Sequence, residues 1–194
     1  MKLNLDLVCA SSEAWLDAVL QDFDSFLQDH ANCERKASSM AMSFVAKYPN
    51  RVEILPELIA IGIEELEHFQ EVYEVMAQRG LLLPHSIGKD PYVSELVGMC
   101  RDGRRERFLD RLLLASAVET RGAERFRLVA EHHPDPEMAK FYKHFWTSEA
   151  KHGHVFVKMA LEYFEEEEVY PRLRWWMERE AEVLQALPIQ AALH

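Results

Sequence analysis

The chain has 194 residues, a formal net charge of −11 and three cysteines without a C-x-x-C pair. This length suits one domain with a substantial core. The negative charge argues against a general nucleic-acid binder, the cysteines argue against a disulfide framework, and no apolar run approaches the roughly 20 residues of a membrane span. The acidic start lacks a signal-peptide pattern, so we expect a cytoplasmic protein.

Helix signals follow one another along the chain. The predicted helices cover, in order, about 13–20, 22–48, 52–79, 92–100, 104–133, 136–164 and 171–186. Pro49 and Gly80 end the first two long helices, Pro134 ends the third, and Asp135 with Pro136 forms an N-cap followed by proline at the first helical position. The acidic run 165–168 is interpreted as the solvated end of the fourth long helix.

The stretch 80–103 predicts a crossover rather than a tight turn between two helix pairs, 22–79 and 104–164. The prediction is therefore all-α: a four-helix bundle in one domain over 1–194, with a long crossover between the second and third long helices. Extra short helices lie near both termini, and Pro171 is expected to open the last one.

Apolar residues recur every three or four positions in the four long helices, as on the core side of a bundle. Six polar residues interrupt these apolar stripes near the middle of each helix: Glu34, Glu65, His68, Glu119, Glu149 and His152. If the helices pack antiparallel, the six side chains lie at one height. His30 and Tyr142 lie on the same stripes a turn or more away, and we interpret them as core or supporting residues.

The six residues form a duplicated pattern. Glu65-Leu-Glu-His68 and Glu149-Ala-Lys-His152 each place a glutamate and a histidine on one helix face. Glu34 precedes Glu65 by 31 residues, and Glu119 precedes Glu149 by 30. One Glu-x-x-His is weak evidence because chance matches are common, whereas a duplicated helix pair with the same spacing indicates a shared purpose.

Four carboxylates in an apolar core need compensation, because an unpaired buried charge costs several kcal/mol. No lysine or arginine occupies these stripes near the four glutamates, so two divalent cations would balance the charge. Di-iron and di-manganese carboxylate bundles have this ligand set: one glutamate from each of two helices and a Glu-x-x-His motif from each of the other two. Oxygen and imidazole ligands suit iron or manganese, and the lack of thiolates disfavours structural zinc.

The residues alone leave the reaction open. A di-iron site can activate O₂, oxidise ferrous iron or reduce peroxide, and a polar layer can also set helix register without any metal. A ferritin-like iron oxidation and storage protein would assemble into a large shell. Because no C-x-x-C electron-transfer module is present, any reductive chemistry needs a separate electron donor.

Four stretches are similar to the bacterial tRNA 2-methylthio-N6-isopentenyladenosine hydroxylase family: residues 27–40 (LQDHANCERKASSM), 64–69 (EELEHF), 114–122 (LASAVETRG) and 148–153 (SEAKHG). The resemblance implies a ferritin-like bundle that uses O₂ and external electrons to hydroxylate the isopentenyl group of an adenosine beside the tRNA anticodon. It implies Glu34, Glu65, His68, Glu119, Glu149 and His152 as ligands of two iron ions, with manganese less favoured. We expect a monomer or small homo-oligomer with no membrane association.

Such a substrate needs an apolar pocket for its tail and cationic groups for the tRNA phosphates. The first candidate patch for tRNA consists of Arg101, Arg104, Arg105, Arg107 and Arg111. The alternative is a solvated helix start balanced by Asp102, Glu106 and Asp110. A second candidate comprises Arg172, Arg174, Trp175 and Trp176, with packing of the last helix as its alternative.

Overall fold

The computed structural model describes residues 5–84 and 90–194, and every regular element in these ranges is a helix. The helices are α1 (Glu13–Gln21), α2 (Phe23–Lys47), α3 (Leu55–Gln78), α4 (Pro91–Gly98), α5 (Arg104–His132), α6 (Pro136–Leu161) and α7 (Glu166–Ala186). Residues 85–89 of the predicted crossover and residues 1–4 lie outside the described ranges. None of the described helices is both long and apolar enough to cross a membrane.

The described chain divides into two compact units. The α2–α3 unit comprises residues 17–84 and 190–193, and the α4–α7 unit comprises residues 5–16, 90–189 and 194. The boundary therefore falls within α1 and in the predicted crossover.

In the α2–α3 unit, capping residues set two of the helix ends, and Gly80 is the one that the sequence predicted. The Asp22 side chain caps α2 by accepting a hydrogen bond from the Ser25 backbone N–H. Gly80 ends α3 with a positive φ of 72°, a conformation that glycine adopts without a Cβ clash. The two helices pack along each other, and the Ser38 hydroxyl donates to the Gly62 carbonyl at 2.6 Å.

In the α4–α7 unit, α5 and α6 form the most extensive helix pair. Asp135 caps α6 by accepting from the Glu137 N–H, and Pro136 lies in its first turn, as predicted. The Ser116 hydroxyl donates to the Gly153 carbonyl at 2.7 Å and joins the two helices. The core between them is rich in aromatic side chains: Phe108, Phe126, Tyr142, Phe145 and Phe156.

The start of α7 corrects one prediction. The sequence pattern predicts that the acidic run ends the preceding helix and that Pro171 opens the last one. Instead α6 ends at Leu161, and Glu166 begins α7, with Pro171 inside the helix. Three glutamates in the first turn, Glu166, Glu167 and Glu168, favour a helix start there because their charges complement the positive end of the helix dipole.

A buried ionic network holds α4 and α7 to α5. Arg121 and Glu180 are both fully buried, and Arg121 donates from Nε and Nη2 to the two carboxylate oxygens at 2.8 and 3.0 Å. The Tyr92 hydroxyl of α4 donates to Glu180 at 3.0 Å. Arg121 Nη2 also donates to the Cys9 carbonyl at 2.8 Å, which ties the N-terminal segment to the same network.

Candidate metal centre

The first half of the predicted ligand set lies in the α2–α3 unit. Glu34 comes from α2, and Glu65 and His68 come from α3, with only 3%, 1% and 2% of their surface exposed. One ligand atom from each lies within 4.8 Å of the others. His68 Nδ1 is 3.3 Å from Glu65 Oε2 and 3.6 Å from Glu34 Oε2. We call these three residues the N-terminal triad.

His30 contacts this triad directly. It is fully buried one helical turn before Glu34, and its Nε2 lies 2.6 Å from Glu34 Oε1. Its ring stacks near Phe26 at a centroid distance of 6.3 Å. His30 is therefore a buried supporting residue with a specific contact. Its ring nitrogen lies within hydrogen-bond distance of one carboxylate oxygen of Glu34, a predicted ligand.

The second half of the set lies in the α4–α7 unit. Glu119 comes from α5, and Glu149 and His152 come from α6; all three are buried. Their ligand atoms also lie within 4.8 Å of one another, and His152 Nδ1 is 2.9 Å from Glu149 Oε2. We call these residues the C-terminal triad. The Glu-x-x-His spacing brings each glutamate to its histidine because residues three apart share a helix face.

The donor atoms of each triad fit a divalent cation of the iron or manganese kind. Each triad offers two carboxylates and one imidazole and no thiolate. In both Glu-x-x-His motifs the glutamate contacts its histidine through Oε2. The other oxygen, Oε1 of Glu65 and of Glu149, is buried and accepts no hydrogen bond from the described part of the chain.

The structure gives Asp110 a role that the sequence analysis did not foresee. The alternative interpretation of the arginine patch made this carboxylate one of three solvated counter-charges, but it is fully buried. It accepts hydrogen bonds from Arg101 and also from Arg172 of α7, at 2.7–3.0 Å. Burial alone would raise the pKa of Asp110, but these hydrogen bonds outweigh burial and hold its pKa below the ordinary aspartate value.

The other arginines of the first candidate patch surround the start of α5. Arg105 pairs with both oxygens of Glu168 at 2.7 and 2.6 Å, and its guanidinium lies 4.5 Å from the Phe164 ring centroid. Arg107 is 3.3 Å from Asp102. Arg104 is exposed. Several of these cations therefore pair with carboxylates while keeping much of their surface in solvent.

In the second candidate patch, the two tryptophans differ. Trp176 is fully buried, in agreement with the packing alternative. Trp175 is partly exposed, and the Arg172 guanidinium lies 3.7 Å from its ring centroid.

Comparisons with known proteins place these features in one class. The family model described as tRNA-(MS[2]IO[6]A)-hydroxylase (MiaE) matches residues 2–194. The chain is 32% identical over 194 residues to the tRNA 2-(methylsulfanyl)-N(6)-isopentenyladenosine(37) hydroxylase of Pseudomonas putida, covering 100% of this chain and 93% of that one. It is 24% identical to the protein of the same name from Salmonella typhimurium, covering 92% of this chain and 83% of the relative.

A solved structure shows the fold. Protein 43 with aldehyde deformylating oxygenase activity, from Synechococcus, matches with a TM-score of 0.92 and 29% identity, over 97% of this chain and 94% of that chain. The fold and the two buried carboxylate–histidine triads define a ferritin-like protein of the di-iron class, which confirms the predicted fold class. The chain belongs to the MiaE family of tRNA hydroxylases, as the sequence resemblance predicted.

Proposed function

We propose that this protein hydroxylates the isopentenyl group of 2-methylthio-N6-isopentenyladenosine beside the anticodon of tRNA, in the cytoplasm, using O₂ and external electrons. The observation that carries the proposal is a pair of buried Glu–Glu–His triads in a chain that matches the hydroxylase family along its length. Family membership favours this reaction over ferritin-like iron storage.

The six triad residues are proposed to hold two iron ions. Their four carboxylates carry a charge of −4, which two divalent ions would balance, and neutral imidazoles would complete the coordination. When bound, the irons would supply O₂ activation, with one oxygen atom ending on the carbon and the other in water. The balance per turnover is R–H + O₂ + 2e⁻ + 2H⁺ → R–OH + H₂O.

The protein residues position and shield this chemistry. His30 holds Glu34 Oε1 at 2.6 Å, which leaves Oε2 on the side of His68. The triad residues are at most 8% exposed, so bulk water is kept from the reacting groups. Hydroxylation of an unactivated C–H bond requires this exclusion of water, because side reactions with water or protein would consume electrons and O₂ without forming product.

The tRNA is proposed to contact the arginines at the start of α5: Arg101, Arg104, Arg105, Arg107 and Arg111. These cations stand out in a chain of net charge −11, so binding should be local and sensitive to salt. The double variant Arg104→Glu/Arg105→Glu should weaken tRNA binding and lower the salt slope by about one per lost phosphate contact. Arg127→Glu, at the far end of α5, is the matched control; equal affinity of all three proteins would remove this patch from the proposal.

Mass spectrometry of tRNA nucleosides tests the function itself. Cells that lack this chain should accumulate the unhydroxylated isopentenyl nucleoside, and expression of the wild-type chain should restore the hydroxylated form. Expression of Glu149→Gln should not restore it. Persistence of the hydroxylated nucleoside without this chain, in cells with no second hydroxylase, would contradict the proposal.

A further inference from the structure

The outward side of α3 exposes a stripe of apolar side chains. Ile59, Ile63, Leu66 and Tyr73 are 41–55% exposed and follow helical spacing along one face. Met42 of α2 is 47% exposed and lies against Gly62, beside the same stripe. We call these five residues the α3 patch. Contiguous exposed apolar surface on a soluble protein commonly marks an interaction site.

The charged side chains that α3 places beside this stripe all have one sign. The sequence of α3 contains six glutamates and no lysine or arginine. At about 100° per residue, helix geometry places Glu67, Glu71 and Glu74 in a row along one side of the apolar stripe. An acidic border disfavours RNA, whose phosphates it repels. A second copy of the same face would bring further glutamates and no basic residue from α3 to pair with them. A partner with a basic border around an apolar centre fits both features.

The position of the patch suggests what such a partner does. Glu65 and His68 lie on the buried side of the same helix, so the patch is about one helix diameter, roughly 10–12 Å, from two proposed metal ligands. Each hydroxylation needs two electrons from outside the chain. Small interfaces steered by charge are typical of transient encounters between redox proteins.

We propose that the α3 patch is the docking site of the electron donor, a redox protein carrying a flavin or an iron–sulfur group and presenting a basic-rimmed apolar face. This inference rests on the proposed hydroxylase function, in which every turnover consumes two external electrons. Per turnover the donor would release two electrons; with two protons, O₂ would take up these two electrons and two more from the substrate C–H bond, giving the hydroxylated product and water.

The test compares two sources of electrons for hydroxylation of the substrate tRNA by the iron-loaded protein. One source is dithionite with methyl viologen, which diffuses freely. The other is NADPH with the protein fraction of an extract from cells that lack this chain. The variants are Ile63→Gln/Leu66→Gln, which removes apolar contact, and Glu67→Lys/Glu74→Lys, which reverses charge. Ile189→Gln, 54% exposed outside the patch, is the control.

Both patch variants should need about tenfold more extract protein for half-maximal rate, as expected when a central contact worth about 1.4 kcal/mol is lost. Their dithionite-driven rates and iron contents should match those of the wild type, and the control should be unaffected. Added salt should weaken the extract-driven wild-type reaction and have little effect on the dithionite-driven one.

Other outcomes would overturn the docking site. These are equal extract dependence in all variants, a wild type that only the small reductant can drive, a change of oligomeric state in the patch variants, or a weakened affinity for tRNA. The last two would assign the face to a second copy or to RNA. No product from the wild type with either electron source would instead contradict the proposed function, on which this site depends.

Discussion

The two triads have the same residue types but different surroundings. In the N-terminal triad, His30 lies one turn before Glu34 and contacts its Oε1. In the C-terminal triad, the residue one turn before Glu119 is Ala115, whose side chain offers no hydrogen bond. The internal duplication therefore repeats the proposed ligands and their spacing, whereas the residue one turn before the single glutamate differs between the halves.

The two units also differ in what holds them together. The α4–α7 unit contains the buried Arg121–Glu180 pair and the buried Asp110 carboxylate with its two arginines. In the α2–α3 unit, the pair between Arg79 and Asp24 is 40% and 52% exposed. A buried charge must keep its partner because water cannot replace it, whereas water solvates an exposed charge after its partner is removed.

The largest expected effect breaks the buried pair. Glu180→Ala should lower the free energy of unfolding by about 3–5 kcal/mol, because it leaves the Arg121 guanidinium buried without its main counter-charge. Asp24→Ala, which removes the exposed pair, should cost at most about 1 kcal/mol. Urea denaturation measures both.

A second variant keeps this prediction testable if Glu180→Ala does not fold. Arg121→Met/Glu180→Met removes both charges, and it should recover much of the lost stability because no unpaired charge remains. A cost for Glu180→Ala no larger than that for Asp24→Ala would show that the network is not what secures α7.

The next prediction concerns the two glycines at the helix contacts. A Cβ at Gly153 would lie 2.7 Å from Thr120 Oγ1, which already donates to the Ser116 carbonyl, and 3.4 Å from that carbonyl oxygen. Gly153→Ala should therefore destabilise the protein by about 1–3 kcal/mol through overpacking.

Gly62→Ala is the matched control for the other helix pair. Its Cβ would meet only ordinary contacts, 3.4 Å from Met42 Sδ and 3.6 Å from Ala41 Cβ. Since alanine favours helix over glycine by about 1 kcal/mol, this variant should be neutral or more stable. Thermal unfolding of Gly153→Ala and Gly62→Ala measures both changes in stability. Equal changes would mean that the two helix contacts are equally close.

His30 offers a way to separate the triads. His30→Ala should weaken one of two Fe(II)-binding steps by about 10–100-fold, the usual effect of removing a group that orients a metal ligand. His30→Gln, which can still donate to Glu34, should recover part of the affinity. Anaerobic Fe(II) titration of the protein gives both steps; equal weakening of both, or of neither, would contradict the contrast between the triads.

A smaller effect concerns pH. The pKa of Asp110 is held below its ordinary value, so ionised Asp110 stabilises the folded state above the unfolded-state pKa of about 3.9. That contribution is lost as pH falls through the folded pKa. The stability difference between wild type and Asp110→Asn should be constant from neutral pH down to about pH 5 and shrink below about pH 4. A difference that grows on acidification would reverse the assigned direction.

The sequence predicted the local features and missed the long-range ones. The burial and clustering of the two triads were predictable because carboxylates on an apolar stripe conflict with burial, and that they bind metal stays a prediction. The helix ends were predictable because proline, glycine and aspartate act on adjacent backbone. Asp110 was misread because its burial depends on Arg172, 62 residues away. The partner of Arg121 is Glu180, 59 residues away, and neither residue has a local pattern that announces it. The start of α7 was misplaced because proline favours the first turn of a helix, whereas Pro171 lies inside α7, five residues after Glu166.

The most direct test of the central claim is the amount of Fe(II) bound per chain under anaerobic conditions. The wild type should bind two ions. Glu34→Ala/His68→Ala and Glu119→Ala/His152→Ala should each retain at most one, and the combination of all four substitutions should retain none. A folded quadruple variant that still binds two ions as tightly as the wild type would contradict the assignment of the triads as the metal centre.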